Sequence, residues 1–220
     1  VRIKNRIFFK GTVVRGFIQS AFFVAMWGIW SPAGLKADDS PAAATPKSQP
    51  IAPTSQARTQ LSENAALEKA KPAVGALKKQ LVGRLQEAIG KDGAVKAIEV
   101  CRTEAGKITA GVSNQTIQVG RTATKLRNPA NAPQEWMKPL LEYFERKGGM
   151  GNAEPFKIVK LSGDQYGYVE PLYIQPLCMT CHGTKIPADV QAEINKLYPA
   201  DRAVGYSVGD FRGVAWSIVK

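Results

Sequence analysis

Residues 178–182 read Cys-Met-Thr-Cys-His, and His182 is the only histidine among 220 residues. This run limits what the chain can fold into, because it is the attachment signature of c-type haem. Two thiols add across the vinyl groups of the macrocycle, and the adjoining imidazole reaches the iron from one side. With a single histidine in the chain, a bis-histidine site is excluded, and the identity of the sixth ligand becomes the functional question. Two blander readings stand beside this one. A Cys-x-x-Cys pair can be a redox dithiol, but the preceding segment lacks the βαβ pattern that accompanies thioredoxin-like motifs. Cys101, Cys178, Cys181 and His182 also add up to a zinc set of three thiolates and one imidazole. Zinc ligands, however, are usually spaced by two to four residues, and Cys181 and His182 are neighbours.

The N-terminus points to export. Arg2, Lys4, Arg6, Lys10 and Arg15 precede the apolar run Phe17 to Trp30, and no acidic residue occurs before Asp38. That run is shorter than the roughly 20 residues a membrane span requires. Residues 1–37 therefore read as a signal peptide ending at Ala37, with an uncleaved membrane anchor as the alternative. Covalent haem is attached after export, so a periplasmic or equivalent extracytoplasmic location is expected. Losing the six cations of residues 1–37 lowers the formal net charge from +12 to +6. No Lys/Arg cluster with interleaved aromatics remains, which argues against nucleic acid as a partner. The modest positive surface suits an acidic redox partner protein, with a homodimer as a second option. Residues 38–60, rich in Pro, Ala, Ser and Thr, read as a disordered linker. Residues 61–220 suit one domain.

Within that domain, Leu67, Ala70, Val74, Leu77, Leu81, Leu85 and Ile89 recur at helical steps. Pro72 either kinks this helix or marks its first turn. Gly90 and Gly93 are expected to break it, and a second helix then carries Ala94, Ile98, Cys101, Ala105 and Ile108 on one face. A strand around 116–121 and a helix near 134–147 follow. FKIVKLSG and YGYVEPLYI alternate as half-buried strands, with Pro171 suggesting an edge or a bend. A helix over about 187–197 stops at Pro199. The end, VGYSVGDFRGVAWSIVK, reads as a hairpin turning at Gly209 and Asp210. Helices followed by mostly antiparallel strands make an α+β pattern. The attachment motif falls late, after strands, which sets the chain apart from small all-helical cytochromes c.

Opposite His182, iron can take Met, Cys, Lys, Tyr, water or a gas. Met26 leaves with the signal peptide, and Met179 lies inside the attachment loop. Met137 shares the step pattern of Leu140, Leu141 and Phe144, which favours core packing, and Met150 sits in a glycine-rich loop. Cys101 is the stronger candidate. Thioether formation consumes the other two cysteines, leaving it without an intramolecular partner. A buried inert thiol and an intermolecular disulfide remain as alternatives. Arg121, Lys125, Arg127 and Asn128 are placed to hydrogen-bond haem propionates, or else to face solvent. Trp136 and Tyr173 either wall the pocket or pack in the core.

The runs VCRTEA, GRTATKLRNPANAPQEW, YVEPLYIQPLCMTCHG and YPADRAVGYSVGDFRGVAWS together resemble the PAS-like single-haem c-type domains catalogued as a domain of unknown function. That family comprises exported proteins and extracytoplasmic sensor modules. The resemblance covers roughly residues 61–220. It implies a PAS-like antiparallel sheet flanked by helices, one haem c bound through Cys178 and Cys181, and iron held between His182 and a thiolate that maps onto Cys101. Low-potential electron transfer or redox sensing is the expected role. The alternative is a gas or ligand sensor in which Cys101 leaves the iron. A haem enzyme such as a peroxidase is the weakest reading, because no second histidine is present to act as acid and base.

Overall fold

The computed structural model describes residues 61–220, so the expected signal segment and linker lie outside the described residues. The first element, α1, runs Glu63–Val112, and Ser62 caps it by accepting from the Ala65 N–H at 3.2 Å. The helix therefore begins nine residues before Pro72 and continues through it, which removes the first-turn reading of that proline. Pro72 lies on the exposed side of the helix, where water can meet the Glu68 carbonyl that loses its helical donor.

Gly93 is the one true break. Its φ of 80° and ψ of 171° lie where only glycine sits comfortably. Gly90, also expected as a breaker, is helical. The two arms, 63–92 and 94–112, fold back on one another. Arg84 grips Glu104 with Nε and Nη2 at 2.6 and 2.9 Å. In an unbroken helix these residues would stand about 30 Å apart.

The remaining elements are β1 (Ile117–Thr122), α2 (Lys138–Lys147), β2 (Lys157–Lys160), β3 (Tyr166–Tyr173), α3 (Met179–His182), α4 (Ala188–Leu197) and β4 (Phe211–Val219). Among the described residues the strands form one open antiparallel sheet in the order β1-β4-β3-β2. The α+β expectation is met. One face carries Ile117, Val119, Tyr166, Tyr168, Ala215 and Val219 against Ala66, Ala70, Val74 and Leu77 of α1. The other carries Val169 and Val214 against Leu141 and Phe144 of α2, with Trp136 and Trp216 packed alongside. Both faces bury apolar side chains, which accounts for the unbroken burial from Tyr166 to Val169.

The expected C-terminal hairpin does not form. Residues before Asp210 make only a single bridge, Tyr206 to Gly183, and turn at Ser207–Asp210. β4 instead pairs with β1 and β3 at once. The reason is competition: the half that would have been its hairpin partner is occupied with the end of the Cys-Met-Thr-Cys-His run. Pro171 sits where β2 has ended, since β2 pairs only as far as Val169. Its missing N–H therefore leaves no gap in a two-sided ladder.

Candidate functional site

The polypeptide after β3 makes one 3-10 turn, Pro176–Cys178, and passes straight into the single turn α3. Proline starts that turn where no N–H is needed. Gly183 ends it, with its N–H donating to the Met179 carbonyl at 2.9 Å. A Cβ at Gly183 would stand 2.6 Å from that same carbonyl oxygen, so the residue after the histidine has to be glycine for the turn to close this tightly.

His182 is held from outside its own helix. Its Nδ1 lies 2.6 Å from the carbonyl oxygen of Ala203. With Nδ1–H donating to that carbonyl, the Nε2 lone pair is left free for a ligand. Burial, reinforced by the nearby guanidinium groups of Arg127 and Arg212, pushes the imidazole down to about 3, so the ring is neutral. The Tyr206 ring meets it edge-on, with centroids 6.4 Å apart, and the Tyr206 N–H donates to the His182 carbonyl at 3.0 Å.

Arg127 fastens this arrangement from behind. Its Nη2 donates to the Cys181 carbonyl at 2.5 Å, to Asp201 Oδ2 at 3.0 Å and to the Ala203 carbonyl at 3.3 Å. One guanidinium thus ties the Cys-x-x-Cys-His turn to the segment that supplies the histidine's hydrogen-bond acceptor. Its Nε is buried without a partner.

Cys101 comes to the same place from the second arm of α1. That arm docks on α4 through Ile98, Val190, Ile194 and Tyr198, and Cys181 packs against this cluster. Cys101 and Cys178 both lie close enough to Cys181 to disfavour its ionisation, although burial is the larger cause of that thiol's upward shift. Burial likewise pushes the Cys101 thiol up, opposed by the positive charges of Arg121, Arg127 and Arg84.

The four chemistry-bearing residues read from the sequence, Cys101, Cys178, Cys181 and His182, are therefore brought to one region. Arg121, on β1, lies within electrostatic reach of Cys101. Lys125 is exposed, with Nζ 5.1 Å from the centre of the Tyr206 ring. Asn128 caps the short turn Pro129–Asn131 by accepting from the Ala130 N–H at 3.0 Å. Trp136 packs over Gly167 within the α2 cluster, on the sheet face away from α1. Tyr173 packs edge-on against Phe211, at 6.3 Å, which in turn stacks near Phe144. Both aromatics make core contacts. Met137 is buried and Met150 is exposed, with the Met150 N–H bonded to Gly209.

Asp201, Ala203, Tyr206 and Arg212 were not singled out by sequence reasoning. Ala203 acts through its carbonyl, which no side-chain pattern reveals. Arg212 donates to the Lys125 carbonyl at 3.1 Å and lies over the Tyr206 ring. Among the described residues, no group of three or more His, Cys, Asp or Glu side chains is gathered tightly enough to hold a bare metal ion. The donor set does suit a covalently held haem. Two thiols flank one turn, a neutral imidazole has its far nitrogen free, and a third thiol arrives on a separate helix. Among the described residues, no helix is long and apolar enough to cross a membrane.

Fold and site together define an α+β protein that sets a Cys-x-x-Cys-His turn between a helical hairpin and the end of an open antiparallel sheet. The chain belongs to the Tll0287-like family, whose model matches residues 43–219. A solved structure, described as that of the cyanobacterial heme-protein Tll0287, is 27% identical with a TM-score of 0.54. The match covers 68% of this chain and 91% of that one. No match was found among curated proteins.

Proposed function

We propose that this is an exported haem-binding protein carrying one haem c through thioether bonds from Cys178 and Cys181. In this reading His182 and Cys101 are the axial ligands, and the role is low-potential electron transfer or redox sensing. The observation that carries the reading is the pinned, neutral imidazole. His182 Nδ1 sits 2.6 Å from Ala203 O, directly after a cysteine pair and near a third cysteine on another helix. Membership of a family with a solved heme-protein supports it.

Bound haem iron supplies a one-electron couple. The chain supplies the settings of that couple. Ala203 fixes the tautomer and orientation of His182. A Cys101 thiolate favours the ferric state, placing the potential well below that of a His/Met pair. Arg121, Lys125 and the unpartnered Nε of Arg127 offer cationic donors for propionates.

A second reading is favoured by the burial of Cys101. Away from iron its thiol is pushed up and stays protonated, so a displaced Cys101 is a neutral, stable group. Reduction that releases it opens a coordination site for a gas, which is a sensor's behaviour.

Electron paramagnetic resonance of the ferric protein, made with a c-type maturation system, tests the proposal. A low-spin thiolate signal that disappears in Cys101→Ala is expected. An unchanged spectrum in that variant removes Cys101 from the iron. Protein that carries zinc and no haem overturns the reading altogether. Carbon monoxide binding by the reduced wild type separates sensing from electron transfer.

A further inference from the structure

We propose that Arg84 is a positioning residue for Cys101, acting through Glu104. This rests on the ligand assignment above and extends it to a pair that bridges the two arms of the hairpin.

The second arm of α1 hangs from a glycine hinge. Gly93 has φ 80° and carries no side chain to pack, and the arm is taken up by apolar contacts only from Ala94 onward. Eight residues on comes Cys101, and one turn beyond it Glu104. Apolar contacts hold the arm at its two ends: Ala94, Val95 and Ile98 against α4, and Ile108 and Val112 against the α1–sheet core. Apolar contacts resist separation but tolerate rotation of a helix about its own axis. A ligand sulfur cannot tolerate that rotation, since functional groups must be held within about 0.5 Å and 10–20°.

The Arg84–Glu104 fork supplies the missing restraint. Two parallel N–H···O bonds at 2.6 and 2.9 Å fix direction as well as distance. Among the described residues, it is the ion pair that bridges the two arms. Both groups lie within electrostatic reach of the Cys101 thiol. Arg84 has a further contact with Glu87 at 3.3 Å, on its own arm, which keeps the guanidinium oriented. Lysine in its place retains the charge but not the fork.

The test uses ferric holoprotein and exogenous imidazole, which competes with Cys101 for iron. Arg84→Lys and Glu104→Gln are expected to raise apparent imidazole affinity by roughly twofold to fivefold, the upper part of the range for a lost partly exposed pair. A smaller thiolate-type resonance is expected alongside. The exchanged pair, Arg84→Glu with Glu104→Arg, is expected to recover much of the loss. Lys78→Met, which removes the ion pair between α1 and Glu170 of the sheet, controls for mere destabilisation. Unchanged imidazole affinity in both Arg84→Lys and Glu104→Gln overturns the inference while leaving Cys101 as ligand. An equal rise in Lys78→Met overturns it too, by reducing it to general stability. A wild type without the thiolate resonance removes the ligand assignment itself, and the inference with it.

Discussion

Replacing Arg127 by methionine isolates the clamp behind the Cys-x-x-Cys-His turn. The Arg127 and Asp201 side chains are 14% and 6% exposed and meet at 3.0 Å. Methionine keeps much of the volume but strands the Asp201 carboxylate in a place water barely reaches. Breaking a buried pair from one side costs about 3–5 kcal/mol. Asp201 keeps one other bond, from the Ala203 N–H at 2.8 Å, so the lower end, about 3 kcal/mol, is expected. For a domain of this size that corresponds to a fall in Tm of about 6–12 °C. Asp201→Asn in the same background removes the stranded charge, so the double variant should be more stable than Arg127→Met alone by at least about 1 kcal/mol. Thermal unfolding of the holoprotein, followed by circular dichroism at neutral pH, measures both. The ferric absorption spectrum should shift in Arg127→Met as well, because the same guanidinium steadies the carbonyl that holds His182. A loss below about 1 kcal/mol, or a double variant as unstable as the two singles summed, refutes the clamp.

Gly93→Ala should cost about 1–3 kcal/mol from backbone strain alone, since its Cβ would touch nothing within 4 Å. Gly90→Ala, at a helical and open position, should add up to about 1 kcal/mol in urea unfolding; equal effects at the two glycines would refute the single hinge. Gly183→Ala places a Cβ 2.6 Å from the Met179 carbonyl and should cost about 1–3 kcal/mol. It should also reduce the yield of covalently attached haem, read by gel staining, and full attachment at wild-type stability would sink the argument. Glu154 is held down at about 2, chiefly by Lys157 and then by the Tyr143 hydroxyl. Its folded-state value lies below the unfolded one, so the stabilisation is present above the ordinary carboxylate range and fades as pH falls toward 2. Carboxyl NMR should show this, and Lys157→Met should move the midpoint upward; a midpoint already at the ordinary value would contradict the geometry.

Much of the fold was legible because it is written locally. The three- and four-residue steps of α1, the alternation in β2 and β3, and the proline after α4 report backbone preferences within a few residues of themselves. Gly90 and Pro72 misled locally, since packing carries the helix through both; the larger failures came at longer range. Nothing in VGYSVGD says that its residues will bridge to Gly183 rather than fold back as a strand on β4. Nothing in GRTATKLRN announces that Arg127 will share its Nη2 among Cys181, Asp201 and Ala203. Ala203 is the clearest case: its contribution is a carbonyl, identical in every residue type.

By itself, the sequence determined the covalent chemistry on offer. Two thiols beside the chain's only histidine are adjacent through bonds, and no folding is needed to bring them together. Tertiary structure alone decided what faces them and what holds them. Cys101 lies 77 residues before Cys178 in the chain, and it arrives only because the helix reverses at Gly93 and docks on α4. The His182 tautomer is likewise set by a carbonyl 21 residues away. Such meetings depend on which buried surfaces pack best across the whole domain, and that competition leaves no mark in any short stretch of residues.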